Sequence, residues 1–311
     1  MELTKERTGF VFDVQGFSVH DGPGCRTLIF FNGCTLNCSW CSNPEGIPVK
    51  PPLMYYYSRC IGCGNCAESC PHKAIRLTDG KPGIDRLICS SCETKNCIET
   101  CYTDALQSGG HEITVSMLMK QIRRDRQFWG RDGGITLTGG EPLLQIDFAA
   151  AILSACHEAC IHTAIETCGN IPWKNFQRII PFTDWIFFDL KHFNKTEHKK
   201  AINASNALIL ENARRLAREF PGRLIFRMPL VPGFNDSPEN LNSIISFLRE
   251  TGKNEINILP LHHLGREKYR LLGKSYSAES NPVPSPELLM ELEKKLLDEG
   301  IKCYSGSETP Y

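Results

Sequence analysis

The stretch FFNGCTLNCSWCSNPEG, residues 30 to 46, sets Cys34, Cys38 and Cys41 in the spacing C-x3-C-x2-C. A structural zinc or a complete iron–sulfur cluster normally takes four protein ligands, so three thiols on one short loop leave a coordination position for something else. Around this loop lie 311 residues, long enough for one large α/β domain or one domain plus a small insert. Formal net charge is zero, which gives no electrostatic footprint for nucleic acid or a membrane surface. The chain has no leader-like basic and apolar N-terminal segment, nor an apolar run of about 20 residues, so a cytoplasmic protein that avoids the membrane is expected. Sixteen cysteines in that setting point to metal ligation rather than disulfides, because the cytosol keeps thiols reduced.

Past the linker PVKPP, residues 48 to 52, comes CIGCGNCAESCP, with Cys60, Cys63, Cys66 and Cys70 followed by Pro71. This is the bacterial ferredoxin run C-x2-C-x2-C-x3-C-P. CSSCETKNCIETC then supplies Cys89, Cys92, Cys97 and Cys101, with four residues where the second run usually has two and Tyr102 where proline is common. By resemblance to ferredoxins, Cys60, Cys63, Cys66 and Cys101 would hold one [4Fe–4S] cluster and Cys70, Cys89, Cys92 and Cys97 another. Paired C-x2-C motifs also make zinc ribbons, although a ribbon needs two pairs rather than two quartets. The expected organisation is a frame over residues 1 to 51 and 109 to 311, interrupted by a two-cluster insert at 52 to 108.

The frame alternates short apolar runs with longer amphipathic ones, the pattern of a parallel sheet wrapped by helices. Six strands are predicted: RTLIFF (26–31), GITLTG (134–139), HTAIET (162–167), DWIFFDLK (184–191), RLIFRMPL (223–230) and EINILPLH (255–262). Helices are predicted over FAAAILSACHEAC and NALILENARRLAREF, with later starts at Ser237-Pro238 and Ser285-Pro286, where serine caps and proline occupies the first helical position. The expected fold is a partial (β/α)6 barrel related to the TIM barrel. Polar residues collect at the strand ends: Gly139, Gly140 and Glu141, then Glu166 and Thr167, Asp189 and Lys191, Arg227, and His262. In parallel barrels chemistry sits at that C-terminal face, and six strands rather than eight would leave a side opening.

C-x3-C-x2-C with Trp40 before the last cysteine, joined to Gly-Gly-Glu-Pro after the next strand, resembles the radical S-adenosylmethionine superfamily. FSVHDGPGCRT (17–27), DLK (189–191) and LHHLGREKYRLLG (261–273) resemble its glycyl radical enzyme activating enzymes, over nearly the whole chain. The resemblance implies three [4Fe–4S] clusters, with the methionine end of S-adenosylmethionine on the open iron at Cys34, Cys38 and Cys41. Reductive cleavage would yield a 5′-deoxyadenosyl radical that takes hydrogen from a partner's glycine, with no protein residue assigned to the abstraction itself. It further implies that Trp40, Gly139, Gly140, Glu141, Lys191 and His262 face the cofactor, and that Glu166, Thr167 and Asp189 hold a monovalent cation beside its carboxylate. Arg227 is either a cofactor contact or a buried paired charge. Flavodoxin or ferredoxin would donate the electron to a monomer, and the partner would be a glycyl radical enzyme. In Cys25, the C-x4-C spacing and the ending CYSGSETPY the chain resembles the members that serve 4-hydroxyphenylacetate decarboxylase, which implies that partner, with choline, isethionate or glycerol enzymes as alternatives. A radical enzyme acting on a small molecule, or an electron carrier, are the competing classes. Cys156, Cys160, Cys168 and Cys303 read as structural, and Cys25 has no partner in any ligand spacing.

Overall fold

The computed structural model describes residues 7 to 306; of the ending CYSGSETPY, residues 307 to 311 lie outside them. The first strands are β1 (Thr8–Ser18) and β2 (Arg26–Phe31). The cysteine-rich segment contributes β3 (Leu53–Tyr55), β4 (Ile75–Thr78), β5 (Lys81–Ile84) and β6 (Leu106–Ser108). Then follow β7 (His111–Thr114), β8 (Gly134–Gly139), β9 (His162–Thr167), β10 (Trp185–Asp189), β11 (Arg223–Leu230), β12 (Glu255–Pro260) and β13 (Lys302–Ser305).

One nine-stranded sheet has the order β13-β12-β11-β10-β9-β8-β2-β1-β7. Along the sheet from β2 to β13 every neighbouring pair is parallel, while β1 is added antiparallel beside β2 and β7 antiparallel beside β1. The six predicted strands are the contiguous parallel centre, and β1, β7 and β13 extend it. Those three carry weak signals for a physical reason. β7 and β13 are four residues each, too short to display a period, and β1 runs TGFVFDVQGFS, where glycines and aspartate interrupt the apolar alternation. Two predicted strands end early: β10 stops at Asp189 and β12 at Pro260, so Lys191 and His262 sit on the loops beyond them.

Helices cover the sheet with apolar stripes at helical spacing. Val115–Asp125 buries Val115, Leu118, Met119 and Ile122. These side chains join Ile29, Leu137, Ile165, Phe188, Phe226 and Ile256 of the strands in one core. Ser237 accepts from the Asn240 amide at 3.2 Å and Ser285 from the Leu288 amide at 3.2 Å, so both serine–proline starts are capped as expected. Among the described residues no helix is long and apolar enough to cross a membrane.

In the insert, β3 and β6 pair antiparallel, with Leu53 opposite Ser108, and the Gly109 amide donates to the Pro52 carbonyl at 2.7 Å. The chain therefore enters and leaves the insert side by side. Met54 packs on Leu271 and Leu272, and Tyr57 Oη donates to the Arg270 carbonyl at 2.9 Å, which seats the insert against the segment LHHLGREKYRLLG.

Candidate active site

The three-cysteine loop is held at its base by backbone bonds. Gly33 and Cys34 amides donate to the carbonyls of Gly46 and Ile47 at 2.7 and 2.9 Å, and Asn37 and Ser39 amides reach Ile202 and Ala201 at 3.0 and 3.2 Å. The loop thereby closes on itself and leans on the helix Lys195–Ile202. From the far end of the chain, Lys268 Nζ bonds Glu45 Oε1 at 2.5 Å and Asn43 Oδ1 at 2.8 Å, with Glu45 buried. Two glycines permit a close approach at the next strand end. Gly139 has φ of 104°, and a Cβ on Gly140 would lie 2.2 Å from the Gly33 carbonyl oxygen.

Sheet register brings the other strand ends alongside. Phe31 pairs with Gly139, Phe188 with Thr167, and Asp189 with Arg227. A cavity of about 390 Å³ opens there, lined by Cys34, Cys38, Trp40 and Cys41, by Gly139 and Gly140, by Glu166, Thr167, Asp189 and Lys191, and by Arg227 and His262. Arg227 Nη1 bonds Glu166 Oε1 at 2.5 Å while its Nε bonds Asp189 Oδ1 at 3.1 Å, and Lys191 Nζ bonds Asp189 Oδ2 at 2.8 Å. Arg227 is thus a buried paired charge within the cavity wall. Burial works against the Asp189 carboxylate, but Lys191 and Arg227 outweigh it and hold the group below its ordinary value. For Glu166 burial wins, and its carboxyl is raised despite Arg227.

Glu141 is the one predicted cofactor residue that does not line the cavity. Fully buried behind the wall, its carboxylate accepts from Thr167 Oγ1 at 2.8 Å, from the Cys168 amide at 2.9 Å and from the Leu143 amide at 3.2 Å. Sequence reasoning assigned no individual role to several lining residues, among them Thr138, His20, Asp21 and Cys168. His20 and Asp21 arrive from the FSVHDGPGCRT turn, which Arg26 braces from the core. Its Nε donates to Thr136 Oγ1 at 2.8 Å, and that hydroxyl donates to the Asp21 carbonyl at 2.7 Å. Cys168, read as structural, borders the cavity together with Cys34, and its side chain holds the Cys34 thiol below its ordinary value. Its position directly after Glu166-Thr167 was the available signal.

Among the described residues no three of His, Cys, Asp or Glu converge on a single metal ion. The cysteines instead surround three separate spaces. Cys60, Cys63, Cys66 and Cys101 line one small cavity of the insert, and Cys70, Cys89, Cys92 and Cys97 line another. All of these thiols are free. Backbone amides point at their sulfurs: Leu36 at Cys34 (3.5 Å), Ala74 at Cys70 (3.2 Å) and Lys95 at Cys92 (3.4 Å). Amide-to-sulfur bonds of this kind suit thiolates bound to an iron–sulfur cluster. Burial meanwhile pushes the Cys38 thiol up to about 12 and Cys41 up to about 11, so a strongly cationic centre is needed to deprotonate them. The donor sets therefore fit clusters.

The profile of the radical SAM superfamily matches residues 87–248, and a 4Fe-4S binding domain matches residues 53–76. The chain is 44% identical, over the whole of both sequences, to the 4-hydroxyphenylacetate decarboxylase activating enzyme of Clostridioides difficile (strain CD196). It is 40% identical, over 94% of this chain and 96% of the relative, to the indoleacetate decarboxylase activating enzyme of Tractidigestivibacter scatoligenes. Among solved structures, a radical SAM methyltransferase from Sphaerobacter thermophilus superposes with a TM-score of 0.52 at 16% identity, covering 90% of this chain and 66% of that one, a likeness of fold alone.

Proposed function

Because this chain belongs to the radical SAM superfamily, and within it to the activating enzymes of glycyl radical enzymes, we propose that it installs the radical of an arylacetate decarboxylase, with 4-hydroxyphenylacetate decarboxylase as its protein partner. The observation that carries this reading is that Cys34, Cys38 and Cys41 open onto the same cavity as Asp21, Glu166, Asp189, Lys191 and Arg227. Relatives at 44% and 40% identity whose names carry decarboxylases of 4-hydroxyphenylacetate and indoleacetate support the choice of partner.

Cys34, Cys38 and Cys41 would hold one cluster, and the Cys60–Cys63–Cys66–Cys101 and Cys70–Cys89–Cys92–Cys97 sets would hold one each. When bound, cluster and S-adenosylmethionine together supply a 5′-deoxyadenosyl radical that takes a hydrogen atom from the partner's glycine. The cavity's own charges favour this cofactor. Three carboxylates face two cations there, and S-adenosylmethionine, with its ammonium and sulfonium against one carboxylate, is a net cation. Gly139 and Gly140 would let backbone come close to the cofactor, and Lys191 and His262 line the same cavity. Trp40 packs on Phe234, ring centroids 5.0 Å apart, and walls the cavity. A monovalent cation at Glu166, Thr167 and Asp189 would share both carboxylates with Arg227. Glycine suits the substrate role because, lacking a side chain, its backbone can enter a narrow site. The electron donor is flavodoxin or ferredoxin, and the protein works as a cytoplasmic monomer.

The test is to incubate reduced protein and S-adenosylmethionine with candidate partners and look for a glycyl-radical doublet by electron paramagnetic resonance. A doublet on 4-hydroxyphenylacetate decarboxylase, absent with the C34A/C38A/C41A protein, is expected. A doublet that forms only on isethionate or choline lyase would overturn the partner but keep the class. Consumption of a small metabolite with no partner activated would overturn the class.

A further inference from the structure

The two cysteine cavities of the insert differ in where they face. The cavity of Cys60, Cys63, Cys66 and Cys101 is also walled by Ile61, Leu77 and Tyr102, which are 70%, 43% and 84% exposed. Cys63 itself is exposed. A ligand that breaks the surface inside a ring of exposed apolar side chains is unusual, since soluble proteins seldom leave such groups together without a partner. The other cavity is walled instead by Pro71, His72, Ala74, Ile75, Lys95 and Asn96, and its Cys97 is buried.

The wall of that second cavity is tied to the linker that leads back to the three-cysteine loop. Lys95 Nζ donates to the Pro51 carbonyl, and Lys50 Nζ pairs with Glu93 Oε1 at 2.8 Å. Lys50 and Pro51 lie three and four residues after Ile47, whose carbonyl accepts from the Cys34 amide at 2.9 Å. The linker thus touches the second cavity at one end and the three-cysteine loop at the other.

We propose that the face around Cys63 is where a small one-electron carrier protein docks, and that electrons run from the Cys60–Cys63–Cys66–Cys101 site through the Cys70–Cys89–Cys92–Cys97 site to the Cys34 loop. The proposal rests on the three-cluster reading above. Flavodoxin hydroquinone loses one electron and a [4Fe–4S]2+ cluster gains it, with no bond made or broken. Electron-transfer encounters bury little surface, under about 1,200 Å², so a patch of three side chains around an exposed cluster edge is of adequate size. The apolar centre excludes water between donor and cluster, and the carrier leaves quickly after each transfer because so little area holds it.

The experiment mixes flavodoxin hydroquinone with anaerobically reconstituted protein in a stopped-flow spectrometer and follows cluster bleaching. Ile61→Asp is the test variant, with its iron content measured. Leu87→Asp, a change at an 87% exposed residue of the helix Arg86–Ser90 outside both cavities, is the control. Ile61→Asp with full iron content is expected to lower the second-order rate with flavodoxin about tenfold, the equivalent of about 1.4 kcal/mol of encounter stability. Its reduction by dithionite, which needs no docking face, is expected to match wild type, and Leu87→Asp is expected to match wild type with both reductants. An iron-replete Ile61→Asp protein that flavodoxin reduces at the wild-type rate overturns the proposal, as does an equal loss in Leu87→Asp. Wild-type protein holding about four irons rather than about twelve overturns the cluster reading itself, a result separate from either of these.

Discussion

Asp189 is the hinge of the cavity's charge network, because both cationic side chains of the wall reach it. Replacing it with asparagine leaves Lys191 and Arg227 buried with one carboxylate fewer. Removing one partner from a buried pair typically costs about 3–5 kcal/mol, so Asp189→Asn is expected to lower the thermal midpoint markedly. The sign of its pH dependence follows from the depressed carboxyl. Stability from this group is fully present above the unfolded value of about 3.9 and is lost as pH falls through the lower folded value. Melting curves of both proteins should therefore converge as pH drops below about 4, and a gap that widens in acid would contradict the assignment. Glu141→Gln tests a residue that acts through others. One amide oxygen cannot replace two carboxylate oxygens that accept from Thr167, Cys168 and Leu143. The loss of about 1–3 kcal/mol for an unsatisfied buried bond should appear by scanning calorimetry as a lowered thermal midpoint, and titration calorimetry should show weaker S-adenosylmethionine binding because Thr167 and Cys168, which Glu141 holds, line the cavity.

At the level of elements, the three-cysteine loop depends on a segment more than 200 residues later, through Lys268 to Asn43 and Glu45. Lys268→Ala leaves the buried Glu45 carboxylate without its ion-pair partner, an arrangement costly in a low-dielectric setting. The loop should load its cluster incompletely while the insert fills normally. Iron analysis is expected to fall toward about eight irons per chain; unchanged iron together with unchanged S-adenosylmethionine cleavage would remove the clamp from the account. The six central strands and the two serine–proline helix starts were legible in sequence because each is a local signal, an apolar run or a cap followed by proline. The outer strands β7 and β13, and β1 between β2 and β7, were not, since their pairing partners supply the hydrogen bonds that their own composition does not advertise.

For the whole molecule, the question is how an insert of two cysteine quartets serves a frame that carries the chemistry. Replacing Cys66 and Cys97 together by alanine is expected to leave S-adenosylmethionine cleavage intact with dithionite and to slow it about tenfold or more with flavodoxin, the pattern of a relay. Equal loss with both reductants would mark the insert as structural. What the sequence by itself determined is everything that depends on spacing along the chain: the three-thiol loop, the two quartets, the parallel strands and the polar residue at the end of each. Thiols a few residues apart must share a neighbourhood, so their chemistry survives without a fold. Tertiary structure alone decided which polar groups face the cavity and which support it. Asp189 and Arg227 are 38 residues apart and meet through β10–β11 register. Cys168 reaches Cys34 across more than 130 residues, Asp21 enters from a turn braced by a buried arginine, and Glu141 turns away behind the wall. Those placements arise from side-chain packing and strand pairing between distant segments, and no local pattern of residues encodes them.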